Sequence, residues 1–166
     1  MNEITLELFR HNAWANEQLL EFCKQLDPAQ LRSSEKGSVG DILETFHHIV
    51  YADANYLRRL TGNAFDWQSQ EEKVGLDALL ERSRQAATGW ETYLQREIEP
   101  DEVYYVDSGA YATRATIIIA QAIHHGNHHR EQICSILTGL GHEPPDVQAW
   151  EYAWHTGRIW DAESRS

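Results

Sequence analysis

Residues 115–140 constrain the fold of this chain most strongly, because they form an apolar stretch that predicts one long helix. The stretch contains two histidine doublets, His124-His125 and His128-His129, four residues apart. Residues four apart on a helix lie one turn apart on the same face, so the helix presents two stacked imidazole pairs. A stacked pair plus one ligand from another segment is the usual way to hold a divalent transition metal with one coordination position open.

Helical phase separates the two imidazole pairs. At about 100° per residue, His125 and His129 fall on the apolar side of the helix, whereas His124 and His128 fall about a third of a turn away. The apolar side is marked by Ile118, Ala122, Ile133, Ile136 and Leu140. We therefore expect the first pair to face the interior and the second to face solvent. Two buried imidazoles require shared partners, which favours metal ligation over the alternative of hydrogen-bonded core histidines.

Three further amphipathic segments predict three more helices. The first covers about residues 3–26, the second runs from an N-cap at Ser38 to about Leu60, and the third covers about 76–98, before Pro100. Four helices with one longer connection predict an all-α fold, a four-helix bundle with one longer crossover connection. Such bundles build metal sites from side chains on facing helices, so we expect the third ligand on another helix.

The connection before the histidine helix and the C-terminal tail have their own patterns. Residues 103–106 and 109–113 predict two short extended segments that form a hairpin-like crossover. The tail, about residues 143–166, is aromatic, and we expect it to form a lid that buries its tryptophans over the bundle rather than a substrate-stacking surface. The length of the chain predicts a single domain over residues 1–166.

Composition disfavours several classes of partner. The net charge of −12, without a local basic stripe, disfavours nucleic acids and anionic lipid surfaces. The sequence contains neither an apolar run long enough to span a bilayer nor a signal-peptide pattern at its start. Cys23 and Cys134 stand alone, as expected for core residues of a cytoplasmic protein rather than for a disulfide framework.

The other histidine doublet of the chain, His47-His48, lies in the second predicted helix and offers the third ligand. The apolar stripe of that helix places His47 at its edge and His48 well beyond it. Periodicity alone therefore favours His47.

The residues around the doublets favour His48 instead. The segment Phe46-His-His-Ile-Val-Tyr-Ala-Asp-Ala-Asn-Tyr-Leu57 is followed by His125-Gly-Asn-His-His-Arg-Glu-Gln-Ile133. Together they resemble the DinB/YfiT-like family of metalloenzymes, which is distinct from the DNA polymerase that shares the name. Matching the acidic and aromatic-Leu positions of its first motif to Asp53, Tyr56 and Leu57 places the ligand at His48.

Other parts of the chain carry the same resemblance. The second family motif, His-x-x-x-His-Arg-x-Gln, falls on His125, His129, Arg130 and Gln132. The segment Asn12-Ala-Trp-Ala-Asn16 is similar to the N-terminal signature of the family, and residues 141–146 resemble the close of its last helix. His11 stands where the family commonly has a tyrosine, so no role is expected for it.

The resemblance implies a bundle, often dimeric, with a site for zinc, nickel or a similar divalent ion formed by His48, His125 and His129. Some relatives are transferases or isomerases that use a small intracellular thiol such as bacillithiol or mycothiol. We therefore expect a metal-dependent enzyme, a thiol-dependent transferase or a hydrolase, which forms a homodimer. The alternative is a non-catalytic bundle that a metal staples together and that serves as a binding or structural protein.

Two residues near the expected ligands, Glu44 and Arg130, each have two possible interpretations. Glu44 precedes His48 by one helical turn, and it is either a base or partner of the site or, more commonly for such a residue, a solvated glutamate. Arg130 is expected to pair with an acidic group and fix the helix rather than contact substrate.

Overall fold

The computed structural model describes residues 3–69 and 73–161. Its long helices are α1 (Glu3–Cys23), α2 (Ile42–Thr61), α3 (Leu76–Leu94) and α4 (Ala115–Gly139). Strands β1 (Val103–Val106) and β2 (Tyr111–Arg114) connect α3 to α4, and a short helix α5 (Ala149–His155) follows α4. The predicted all-α bundle with one longer crossover connection is confirmed. Among these residues, no helix combines the length and the apolar character that crossing a membrane requires.

The four long helices bury a core in two parts. α1 packs on α3, α2 packs on both α3 and α4, and α1 also contacts α4. At one end, Leu19, Phe46 and Ile133 are fully buried together, and at the other end Phe9 packs on Trp90. The pairing of α2 with α4 positions the histidines, because the doublets of the second and fourth helices lie on these two neighbours.

The start of α2 is fixed by a capping box rather than by Ser38. The Asp41 carboxylate accepts a hydrogen bond from the Glu44 backbone N–H at 2.7 Å, and the Glu44 carboxylate accepts from the Asp41 N–H at 3.3 Å. The Ser38 hydroxyl instead donates to the carbonyls of Glu35 and Gly40 in the preceding turn. The predicted N-cap was therefore wrong by three residues.

Two helices end earlier than predicted. α1 ends at Cys23 and α3 at Leu94, although Leu26 is buried and Ile98 packs against the core beyond these ends. Apolar residues in the turns after a helix continue to cover the core, so hydrophobic periodicity overestimates the length of the helix.

The connection between α3 and α4 is a two-stranded antiparallel hairpin, as predicted. Val103 is paired with Arg114 and Val106 with Tyr111. Its turn contains Ser108 and Gly109, which have φ values of 58° and 89°. The hairpin leads directly into α4.

The tail does not bury its tryptophans, which corrects the predicted lid. Trp150, Trp154 and Trp160 are 72%, 55% and 47% exposed, whereas Tyr152 is 6% exposed. The α5 helix places Tyr152 against the Trp14 ring of α1, with ring centroids 5.5 Å apart. Residues 150 and 154 lie about 200° around the helix from Tyr152 and point away from α1. Residues 162–166 of the predicted tail lie outside the described residues.

Candidate metal centre

Three histidines from two helices converge at the seam between α2 and α4. His48 comes from α2, and His125 and His129 come from α4. One ring nitrogen of each lies within 4.8 Å of the others, and the Nε2 atoms of His48 and His125 are 2.9 Å apart. The three ring centroids are separated by 4.4 to 4.7 Å. These residues are called the triad below.

The two doublets of α4 divide between the seam and solvent as helical phase predicts. His129 is 6% exposed and His125 is half-buried, whereas His124 and His128 are exposed. The four-residue spacing places His125 and His129 on the face that α4 turns toward α2. The triad thus obtains two of its members from local helical geometry.

His48, rather than His47, completes the triad. The Nε2 of His47 lies 2.9 Å from the backbone oxygen of Val74 and 3.0 Å from its nitrogen, so this ring contacts the segment that leads into α3. Helix periodicity favoured His47 because it assumes that a site lies on the most buried face. The triad instead lies at the solvent-facing edge of the seam, which only the exposed His48 reaches from α2.

Gln132 determines which nitrogen of His129 is available to a ligand. The Nδ1 of His129 lies 2.8 Å from the Gln132 side-chain oxygen, an acceptor, so Nδ1 carries the proton and the Nε2 lone pair is free. The Gln132 amide nitrogen donates to the carbonyl of Gly37 at 3.0 Å, which fixes the amide in turn. Metal-binding histidines are oriented in this way by a partner on the second ring nitrogen.

The environment of His48 and His125 favours neutral imidazole, the form that binds metals. Burial, with smaller contributions from His129 and His48, lowers the pKa of His125 to about 4. Burial and His129 also lower the pKa of His48. Neutral imidazole suits zinc, nickel, copper and iron, so this donor set fits a divalent transition metal. Two nitrogens bound at tetrahedral positions on zinc are about 3.4 Å apart, which a small rotation of His48 or His125 would provide.

The contacts of Glu44 are with the start of α2 and with Lys73. Its carboxylate caps α2 and forms an ion pair with Lys73, with the Lys73 Nζ 2.6 Å from one carboxylate oxygen. The hydrogen bond from Lys73 and the backbone N–H of Asp41 hold the pKa of Glu44 below its ordinary value. These contacts favour the solvated glutamate over a base beside the metal site.

The Arg130 guanidinium donates to amides rather than to the acidic group expected from the sequence. The acidic group that it interacts with, Asp53, contributes a longer-range electrostatic attraction. The guanidinium is buried and donates at 2.7 Å to the side-chain oxygens of both Asn12 and Asn16, and also to Asn127. A side chain at Gly126 would meet this cluster, since its Cβ would lie 2.6 Å from the Asn12 side-chain oxygen. The cluster fixes α4 against α1 one residue after His129.

A second buried polar contact joins α2 to α3. The Trp90 indole N–H donates to the Asp53 carboxylate at 2.9 Å, and burial raises the pKa of Asp53 to about 7. Sequence reasoning gave no role to Asn12, Asn16 or Trp90. The resemblance of residues 12–16 to the family signature was the signal that pointed to the two asparagines.

Comparison with known proteins identifies a family and a relative. The model of the DinB family matches residues 1–164. The protein named Protein DinB from Bacillus subtilis (strain 168) is 21% identical over 154 residues, which cover 86% of this chain and 89% of that protein. The family match includes all four long helices and the triad.

Proposed function

The chain belongs to the DinB family, and from this membership and the geometry of the triad we propose that it is a metal-dependent enzyme. The proposed reaction is transfer of a low-molecular-weight thiol to an electrophilic substrate, or hydrolysis at the same site. The observation that carries the proposal is the convergence of three imidazole nitrogens with the His129 tautomer fixed by Gln132.

The residues of the triad suit zinc or nickel as the resident ion. His48, His125 and His129 would each supply one neutral nitrogen. A divalent ion held in this way provides Lewis acidity, which promotes deprotonation of a water or a thiol near neutral pH. Three protein ligands are the number found in catalytic zinc sites, whereas structural sites are closed by four.

The surroundings of the triad support access by a small molecule. Within residues 3–69 and 73–161, the group of His, Cys, Asp and Glu side chains that could hold an ion has three members, which leaves a coordination position open. His48 is exposed, so the site faces solvent. The ring of Tyr56 lies 5.7 Å from that of His125 and borders the triad.

A structural role for the ion is the second candidate. The triad joins two neighbouring helices, α2 and α4, so a bound ion would cross-link them. In that case metal would stabilise the bundle without supporting any reaction. Turnover, rather than metal binding, separates the two candidates.

The test is a thiol-conjugation and hydrolysis screen with protein purified without an affinity tag. The metal-loaded wild type is incubated with small thiols and a panel of electrophiles and esters, beside His125→Ala and the matched control His124→Ala. We expect product with the wild type and His124→Ala, and none with His125→Ala. Equal rates for all three proteins would show that the reaction does not take place at the triad, and no reaction across the panel would favour the structural role.

We also propose that the protein forms a homodimer. Ile4 and Leu8 of α1 and Ile119 and Ile123 of α4 line an apolar groove of about 1100 Å³. A second copy would remove part of this apolar surface from water, which favours association. Light scattering over a wide concentration range is expected to give twice the 19.1 kDa mass of the chain, and a constant mass of one chain would refute the dimer.

A further inference from the structure

The exposed pair on α4, His124 and His128, has a geometry of its own. The two rings are nearly parallel, with an interplanar angle of 8° and centroids 6.5 Å apart. Both side chains are exposed, a third of a turn around α4 from the triad. The pair therefore presents two imidazoles to solvent on one rigid helix.

The environment of this pair differs from that of other histidines. His11 and His47 contact backbone atoms of Val147 and Val74, and His142 contacts the side chain of Gln30. For His128, the Nε2 lies 3.4 Å from the Gln132 amide nitrogen, a long contact that a ligand could replace at little cost. In a single chain the imidazoles of the exposed pair are thus available to an external ligand. His124 also borders the apolar groove proposed above for the dimer.

Two imidazoles four residues apart on a helix can chelate one ion. Their Cβ atoms are about 5–6 Å apart, and this spacing supplies the two histidine ligands of the His-Glu-x-x-His zinc motif. Exposed side chains change rotamer readily, so the rings can move from the parallel arrangement to one in which both point a nitrogen at the same ion. The net charge of −12 attracts cations to the protein.

We propose that His124 and His128 form a second metal site for the divalent ions that prefer imidazole. It is distinct from the triad in its ligands but adjacent to it, since the ring centroid of His128 lies 4.9 Å from that of His129. Among these ions Cu²⁺ binds most tightly, and Ni²⁺ and Zn²⁺ bind less tightly. The second site has two protein ligands where the triad has three, so the triad fills first. The second site is a solvent-facing chelate that completes its coordination with water or with a small ligand.

Copper stoichiometry tests this proposal. Untagged wild type and the double variant His124→Ala/His128→Ala are dialysed against Cu²⁺, with chelator competition to measure affinity. We expect the double variant to bind one ion fewer per chain than the wild type. Each single variant should weaken the second site about 100-fold, because the second imidazole of a chelate binds intramolecularly.

Two controls make the result specific. His155→Ala removes an exposed histidine of α5 and should leave both copper ions bound. His48→Ala disrupts the triad and should leave the second site intact, so a failure of the triad is distinguishable from a failure of this site. Alanine is favourable in an exposed helix, and circular dichroism verifies that the variants fold.

The proposal is overturned if wild type and double variant bind the same number of copper ions with the same affinity. It is also overturned if His155→Ala lowers the stoichiometry as much as the double variant does. Retention on immobilised Ni²⁺ gives an independent readout. The untagged wild type should be retained, and the double variant should elute earlier; co-elution of the two would contradict an exposed chelate.

Discussion

Gln132 fixes the orientation and the tautomer of His129 in the triad. The Gln132 side-chain oxygen accepts a hydrogen bond from the His129 Nδ1–H, and its amide nitrogen donates to the carbonyl of Gly37. The contacts therefore extend from the ring to the loop before α2. Without this acceptor, the ring of His129 could rotate or exchange its proton to Nε2. Either change would remove a lone pair from the site.

Replacing Gln132 with Ala should therefore weaken metal binding by about 10- to 100-fold, the usual effect of losing a partner of a metal-binding histidine. Gln132→Glu keeps an acceptor and should retain more of the affinity than Gln132→Ala. Thr138→Ala, also on α4, is the control, since the Thr138 hydroxyl donates to the carbonyl of Cys134 one turn earlier in the same helix. Chelator competition measures all three, and equal affinities would show that Gln132 does not position the ring.

At the residue scale, the sequence predicted correctly which histidines of α4 face the interior, because local helical geometry determines this. The spacing of the doublets was enough to place His129 in the interior and His128 at the surface. It was not enough to choose between His47 and His48, because that choice depends on how far the seam between α2 and α4 lies from the centre of the apolar stripe. Family motifs favoured His48, and this is the residue that lies in the triad.

At the scale of the helices, the Arg130 cluster determines how α1 and α4 pack. A buried guanidinium is tolerated because amide oxygens accept its hydrogen bonds. Removing one acceptor leaves part of the charge without a partner in a site that water does not reach freely. The loss of stability would therefore affect the packing of α1 against α4 and not only one side chain.

We expect Asn16→Ala to lower the free energy of unfolding by about 2 kcal/mol, the typical value of a hydrogen bond to a charged group. Urea denaturation measures the change, with Gln18→Ala on the same helix as the control, which should change stability by less than about 0.5 kcal/mol. Similar midpoints for the two variants would mean that the contact between Arg130 and Asn16 contributes little.

The helices and the hairpin were predictable because each has a strong local pattern, but their ends and the tail were not. Ser38 is a good N-cap by residue type, yet Asp41 forms the capping box with Glu44 and so begins α2. The prediction for the tail was wrong for a different reason. Its one short helix buries a single aromatic residue against α1, and tertiary contacts rather than composition select Tyr152 over the tryptophans.

At the scale of the whole molecule, metal binding at the triad would be coupled to folding. The three histidines come from α2 and α4 and converge only when these helices pack, so an ion held by them would bind the folded chain in preference to the unfolded one. Metal should therefore raise the melting temperature of verified metal-free protein. Thermal unfolding with and without added Zn²⁺ tests this, and superimposable curves would exclude a preformed site.

The stabilisation should require the triad. In His125→Ala the same addition of Zn²⁺ should produce a much smaller shift, because one of the three ligands is gone. In His124→Ala the shift should be close to that of the wild type. Shifts of equal size in all three proteins would place the stabilising ion elsewhere.

The claim that the triad is the metal site is tested most directly by comparing the two neighbours within each histidine doublet. Zn²⁺ affinity is measured by chelator competition for His48→Ala and His47→Ala on α2, and for His129→Ala and His128→Ala on α4, with folding verified by circular dichroism. We predict severe loss of the tightest site for His48→Ala and His129→Ala, and nearly unchanged affinity for the other two. If His47→Ala or His128→Ala abolishes binding while its neighbour does not, the triad is not the metal site.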